Sequence, residues 1–463
     1  MYGIKEANQF SQFRLQLYQK HFNKRDDSLM DLVDALSSNT QANSVVELSL
    51  SPYFRRDYNS LFKSLDEYQY YWVHHNLAQL AAPYLPQPQR RSFWLLGVDV
   101  TSCSRPYAKK LADKSYVYQP NPVRTNKPIT VGHQYSSVCL LPERMRPSPH
   151  WVIPLSNRRV VKWDDKEKVG AEQIRFLLED TTLPFYQQLC VEVADSSYSK
   201  PGYLLSLLTQ TNLVNIVRVR SNHIFYRQTV ATAQTGPGHP RWYGTRFALK
   251  DPATWPTPDA TLTTSFTSPK NQCFPVKIEV WDHLLLRGRS QTPGLSMHHY
   301  PLRLARISCC REHGEGAYAH PLWLILSGDR RKEIQLDEVS SAYQQRYDME
   351  HFFRFGKQRM LLSRYQTPEV EHEQNWWQLV HLAYLQLWVA QRFAIVQPRP
   401  WERYLPQVKQ NYPSPAMVQR NFGTIIRQFG TPAVSPKRRG YSSGRGKGSG
   451  PPKRSAKSTI FSH

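Results

Sequence analysis

Apolar and polar positions follow two rhythms, and their order along the chain predicts its architecture. Over residues 1–88 the pattern is polar and helical, clearest in SLMDLVDALSS and DYNSLFKSLDEYQYYWVHHNLAQLAA. The second stretch sets Tyr58, Leu61, Phe62, Leu65 and Tyr68 at three- and four-residue spacing. Pro83, Pro86 and Pro88 end it. This region reads either as a DNA-binding helical domain or as a packing collar. At Arg91 the period changes. SFWLLGVDVTS is a short apolar run suited to a buried central strand, with Asp99 near its C-terminal end. PITVGHQYSSVCLLP and HWVIPLSNRRV continue as strands of an antiparallel meander. KEKVGAEQIRFLLEDTTLPFYQQL then predicts a helix over 166–189, interrupted by Pro184. It feeds LCVEVADSSYS, a second apolar strand ending in an acid, Asp195. KPGYLLSLLTQ reads as a short helix and NLVNIVRVRS as a strand. Strand, acid, helix, strand is the order of an α/β sheet. Ligands of such sheets gather beyond the carboxyl ends of the strands, where Asp99 and Asp195 both fall.

Residues 226–329 are rich in Pro, Thr and Gly, with strand-like pieces such as FPVKIEVWDHLLL and HPLWLILSG. Next comes YQQRYDMEHFFRFGK, from Tyr343 to Lys357. As one helix, at about 100° per residue, it sets Tyr343, Arg346, Glu350, Arg354 and Lys357 on one face and turns Asp348 away. That face is either solvated and laced with intrahelical ion pairs or built to meet phosphate and a metal ion. QNWWQLVHLAYLQLWVAQRFA, with Trp376, Trp377 and Trp388, predicts a core helix on the sheet in preference to a base-stacking platform. SPAMVQRNFGTIIRQFG predicts a last short helix. From Ser435 onward Gly, Ser, Pro and basic residues dominate, which predicts a disordered basic tail. Its GRGKGSG follows no strand and opens no helix, so it is no phosphate loop.

Composition narrows the partners. The chain has 463 residues, 60 Lys and Arg against 36 Asp and Glu, and a formal charge of +24. That balance favours a polyanion, nucleic acid first and an anionic membrane surface second. Residues 196–250 hold no acid but carry Lys200, Arg218, Arg220, Arg227, Arg241, Arg246 and Lys250, as a phosphate-facing surface would. No run of 18 apolar residues is present to span a bilayer, and the first residues lack the apolar core of a signal peptide. Both point to a cytoplasmic protein, associated with the nucleoid when bound to DNA. The six cysteines include no C-x-x-C pair. Cys309, Cys310 and His313 offer three ligands without an evident fourth, so reduced thiols are expected in place of structural zinc.

Three acids then stand out. A carboxylate at the end of a buried strand is costly unless it is paired, hydrogen-bonded or bound to a cation. Folding that gathers Asp99, Asp195 and Glu350 would make an all-oxygen site suited to magnesium or manganese. The plain alternatives are a structural strand-end acid at Asp99 and a helix cap at Asp195.

The spacing Tyr343, Arg346, Glu350, Lys357 resembles the YREK signature of bacterial insertion-sequence transposases with a DDE triad. GVDVTS around Asp99 and VADSSYS around Asp195 resemble that family's first two acidic blocks. The resemblance covers about residues 89–390. It implies an α/β fold: a ribonuclease-H-like mixed sheet flanked by helices and interrupted by a β-rich insertion. The boundaries expected are 1–88 for the helical region, 89–225 and 330–395 for the catalytic domain, 226–329 for the insertion, 396–434 for a helical region and 435–463 for the tail. It also implies that Asp99, Asp195 and Glu350 are catalytic and bind two Mg2+ ions, for which Mn2+ can substitute. Tyr343, Arg346 and Lys357, with Arg354, Arg218 and Arg220, would hold phosphates of double-stranded DNA, both transposon ends and target. Paired ends imply at least a homodimer, and no membrane is involved. Trp281 and Trp323 are the candidates for supporting a DNA hairpin. The rival readings are a non-catalytic DNA-binding protein derived from such an enzyme, and an RNA-binding or membrane-surface protein without chemistry.

Overall fold

The computed structural model describes residues 4–68, 76–108, 110–118, 128–144, 149–229, 242–267, 273–287, 297–309, 320–395 and 413–436. Nearly all of the expected basic tail lies outside them, as do Arg241, Cys310 and His313. The helical start comprises α1 (Ile4–Gln16), α2 (Asp26–Ser37), α3 (Val45–Leu48), α4 (Tyr58–Glu67) and α5 (Asn76–Ala81). Then follow β1 (Trp94–Ser104), β2 (Ser115–Tyr118), β3 (Ile129–Leu140), β4 (Ile153–Val160), α6 (Lys166–Glu179), β5 (Cys190–Ala194), α7 (Pro201–Ser206) and β6 (Leu213–Val219). Six further strands are β7 (Ile224–Gln228), β8 (Tyr243–Ala248), β9 (Ala260–Thr267), β10 (Cys273–Leu286), β11 (Leu302–Cys309) and β12 (Leu322–Ser327). The chain closes with α8 (Leu336–Gln345), α9 (Tyr347–Arg359), α10 (Val370–Ala390) and α11 (Pro415–Phe429).

Among the described residues one mixed sheet carries all the strands, in the order β2-β3-β1-β5-β6-β12-β11-β10-β7-β8, with β4 beside β3 and β9 beside β10. β1 runs antiparallel to β3 and parallel to β5, and β5 runs parallel to β6. Helices flank this sheet, so the fold is α/β. The two parallel neighbours explain why all five residues of β5 are buried: parallel strands are covered on both faces. The strands of residues 226–329 prolong the same sheet, because β12 pairs with β6 through Trp323–Val219 to Ser327–Asn215.

Gly97 sets the distance between the two halves of the site. A Cβ there would come within 3.2 Å of Met349 Cγ. Without one, α9 lies directly on β1 and brings its first turn to the strand.

Three expected helices differ in extent. The 166–189 helix stops at Glu179, where Asp180 accepts hydrogen bonds from the Thr182 N–H (2.9 Å) and hydroxyl (2.7 Å) and turns the chain before Pro184. The long N-terminal helix appears as α4 and α5, and residues 69–75 between them lie outside the described part. Tyr343–Lys357 is two helices joined at Arg346, where the bonds shorten to three-residue spacing: Arg346 N–H to Tyr343 O, 3.1 Å, and Met349 N–H to Arg346 O, 3.0 Å. Arg346 keeps helical angles (φ −50°, ψ −31°), so the shared face survives the junction.

The tryptophans of α10 are core. Trp376 and Trp377 are fully buried, Trp377 stacking on Tyr135 at 3.8 Å, and Trp388 donates to Tyr84 O at 3.1 Å. Trp281 and Trp323 are buried as well, so neither presents a ring to DNA. They pack with Phe247 and Trp255, and the Arg306 guanidinium lies 5.0 Å over Trp255 and 5.9 Å over Trp323.

The sheet also buries an acid that the site does not use. Glu192, in the middle of β5, is fully buried between Leu96 of β1 and Asn215 of β6, and neither carboxylate oxygen has a hydrogen-bond partner of ordinary geometry. Burial pushes its carboxyl from 4.5 up to about 8, with Tyr203 opposing in part. A group whose folded pKa is raised contributes stability that is full below its unfolded value and is lost as pH rises through the folded value. Between pH 5 and 9, wild type is therefore expected to lose stability relative to Glu192→Gln by a few kcal/mol. Urea unfolding of both proteins across that range measures it, and parallel pH profiles would show that Glu192 does not enter the fold neutral.

Candidate active site

Asp195 directly follows β5, whereas Asp99, expected at a strand end, lies within β1, two residues past its last pairing with β5, because β1 runs on to Ser104 alongside β3. The register pairs Gly97 with Val193, so Asp99 and Asp195, each two residues further on, point to the face covered by α9. Asp99 Oδ1 accepts the N–H of Val100 at 2.8 Å. Asp195 Oδ1 accepts the N–H of Ser197 at 2.9 Å and its hydroxyl at 2.6 Å. Asp195 thus caps the short turn Ser196–Tyr198, as its plain reading expects.

α9 supplies the third acid. Glu350 lies one residue past Met349, the residue seated on Gly97. Arg346 stands between the two elements, with Nη1 3.2 Å from Asp99 Oδ2 and Nη2 2.7 Å from Glu350 Oε1. The exposed fractions of the Arg346, Asp99 and Glu350 side chains are 14%, 18% and 39%. Burial drives the Asp99 carboxyl up to about 6; Arg346 opposes this, and the negative charges of Asp195 and Glu350 add to it. All three acids therefore share one electrostatic neighbourhood with more negative charge than a single guanidinium offsets.

The other expected residues divide by distance from that centre. The Tyr343 ring lies 5.8 Å from the Arg346 guanidinium. Burial raises its phenol, against the nearby charges of Arg346 and Arg218. Arg218 and Arg220 are exposed at the end of β6, and Arg220 Nε donates to Ser196 Oγ at 3.4 Å, beside Asp195. Lys357 sits further along α9, half-buried near Cys103 of β1, and burial lowers its ammonium. Arg354 is exposed on α9. Asp348 turns away from this face, as expected. It is buried on the other side of α9, 2.5 Å from His150 Nδ1 and 3.3 Å from Arg144.

Among the described residues no three His, Cys, Asp or Glu side chains converge as a metal cage; between Asp99 and Glu350 stands Arg346. The donor set nevertheless fits a hard divalent cation. It consists of carboxylates alone, and Asp99 is pushed toward protonation by burial first and by the charges of the other two as well.

Sequence reasoning passed over a pair of stacked rings beside Asp348. His150, in the segment before β4, stacks on His351 of α9 at 4.1 Å and 12°. Nothing in their spacing signals it, since the contact is tertiary. Gly97 was likewise unmarked, although a glycine inside an apolar strand is itself a sign of close backbone approach.

A family model described as DDE superfamily endonuclease matches residues 17–271. A second, described as transposase DDE domain, matches residues 170–386. No curated protein matches the chain. Together the two spans take in all three acids.

Proposed function

Because the chain belongs to the DDE superfamily of endonucleases, we propose that it is an insertion-sequence transposase that cuts DNA at the element's ends and joins the freed 3′-hydroxyl to target DNA. It is a metal-dependent nuclease of the transposase type, acting on DNA. One observation carries the finer reading. Arg346 ties Asp99 of β1 to Glu350 of α9 beside the Gly97–Met349 contact, and Asp195 follows the neighbouring strand β5.

In this reading Asp99, Asp195 and Glu350 hold two Mg2+ ions, with Mn2+ able to substitute. Once bound, the ions supply an activated oxygen nucleophile and charge stabilisation for the leaving oxygen. The protein groups fix everything else. Val100 and Ser197 orient two of the carboxylates through the hydrogen bonds above. Tyr343, Arg346, Arg218 and Arg220 border the acids and set the phosphate against them, and Arg354 and Lys357 continue that line along α9. Hydrolysis and strand transfer use the same residues, because only the attacking oxygen changes, from water to a 3′-hydroxyl. Neither step needs a covalent protein intermediate.

Two ends must be held at once for joining, so the working form is at least a homodimer on double-stranded DNA. We assign it to the cytoplasm, on nucleoid DNA. No helix among the described residues is long and apolar enough to cross a membrane. The test is incubation of the protein with DNA carrying the element's terminal repeats and a target plasmid. Cleavage leaving 3′-hydroxyl ends, followed by joined products, is expected in Mg2+. Intact DNA in both Mg2+ and Mn2+ overturns the reading.

A further inference from the structure

We propose that Arg346 is an internal counter-ion that keeps the acidic site closed to divalent cations until a DNA phosphate takes its guanidinium away. The inference rests on the reading of Asp99, Asp195 and Glu350 as metal ligands.

The guanidinium spans two acids from different elements, reaching Asp99 on β1 at 3.2 Å and Glu350 on α9 at 2.7 Å. An ion held by both acids draws on the two carboxylates that Arg346 now engages through Asp99 Oδ2 and Glu350 Oε1. At such separations its double charge would also repel the guanidinium strongly. Arg346 and the cation are therefore competitors for one place, and the site must release the first to take the second.

The surroundings supply the route for that exchange. Arg346 is the junction between α8 and α9, where hydrogen bonding falls to three-residue spacing. A planar fork that fits carboxylate oxygens fits phosphate oxygens equally well. Exposed Arg218 and Arg220 lie at the adjoining strand end, so a phosphate drawn to them arrives beside Arg346. Swinging the guanidinium from carboxylate to phosphate leaves Asp99 and Glu350 bare together, and that pair then recruits cations. By linkage the coupling is reciprocal: DNA raises metal affinity by the factor by which metal raises DNA affinity. A protein without DNA would stay largely unloaded.

The test is Mn2+ binding to the full chain, read as free Mn2+ by electron paramagnetic resonance, so no catalysis is involved. Without DNA, Arg346→Met is expected to bind Mn2+ at least about tenfold more tightly than wild type, with Arg346→Lys between them. Arg346→Gln, which keeps hydrogen bonding without the charge, answers the same question if the Met variant does not fold. Binding by the uncharged variants that equals or falls below wild type overturns the proposal and leaves Arg346 as a structural tie. Asp195→Asn separates the two layers. If it abolishes Mn2+ binding while the Arg346 variants tighten nothing, only the counter-ion role fails. If tight binding persists in the combined Arg346→Met, Asp195→Asn variant, the ions lie elsewhere and the site reading falls with the proposal.

Discussion

Asp195→Ala is expected to lower single-turnover cleavage of end DNA in Mg2+ by at least about a thousandfold, on the scale of losing a principal charge-stabilising group. The expectation needs a control, because Asp195 also caps the Ser196–Tyr198 turn through Oδ1. Loss of such a cap costs about 1 kcal/mol, which shifts the amount of folded protein and not its chemistry. Asp195→Asn keeps an oxygen for the Ser197 N–H and removes the charge. If the charge is what matters, both variants lose cleavage alike while unfolding in urea near the wild-type midpoint. An active Asn variant beside an inactive Ala variant would reduce Asp195 to a cap and remove it from the metal site.

Glu373→Ala is expected to destabilise the fold by about 3–5 kcal/mol, the range for removing one partner of a buried ion pair. Glu373 of α10 is fully buried and receives Arg105, which follows β1. It also lies 2.9 Å from His133 Nδ1 and accepts the Tyr135 hydroxyl at 2.8 Å, both from β3. Arg105 further donates to the carbonyls of Thr367 (2.9 Å) and Tyr365 (3.2 Å). Alanine leaves that cation in the core with carbonyl oxygens alone and strips two β3 side chains of their acceptor. Urea unfolding measures the cost, and a loss below about 1 kcal/mol, the scale of an exposed pair, would show that the network relaxes without its carboxylate.

Much of the fold was legible because burial leaves a plain signature. The apolar runs at Phe93–Val100 and Cys190–Ala194 mark strands covered on both faces, and Asp99 and Asp195 stand out as exceptions to them. Glu192 is the same kind of exception, three residues before Asp195. The apolar runs give way to polar residues just past Asp99 and Asp195, which suggests a site, whereas Glu192 has apolar residues on both sides and only its surroundings in the fold mark it. The junction at Arg346 was hidden for another reason: its dihedral angles stay helical, so periodicity runs through it. That Arg346 turns inward to Asp99 was equally hidden. Arg346 and Glu350 sit four apart, the spacing of an ordinary surface pair, and only the approach of β1 makes it a bridge. The His150–His351 stack and the Glu373 network depend on contacts between distant segments, to which local pattern is blind. Trp281 and Trp323 were misjudged because exposure cannot be read from a residue's identity; a cluster of four aromatic rings was the cheaper place for both.

The single sheet that runs from β2 to β8 makes the protein a ruler. Neighbouring strands are locked at about 4.8 Å by their hydrogen bonds, so the span from the acids at β1 and β5 out to β10 and β7 is graduated by the backbone itself. A duplex touching both the acids and the far strands is gauged against that scale. Lengthening a loop would leave the gauge intact, whereas breaking the β6–β12 ladder would cut the scale in two.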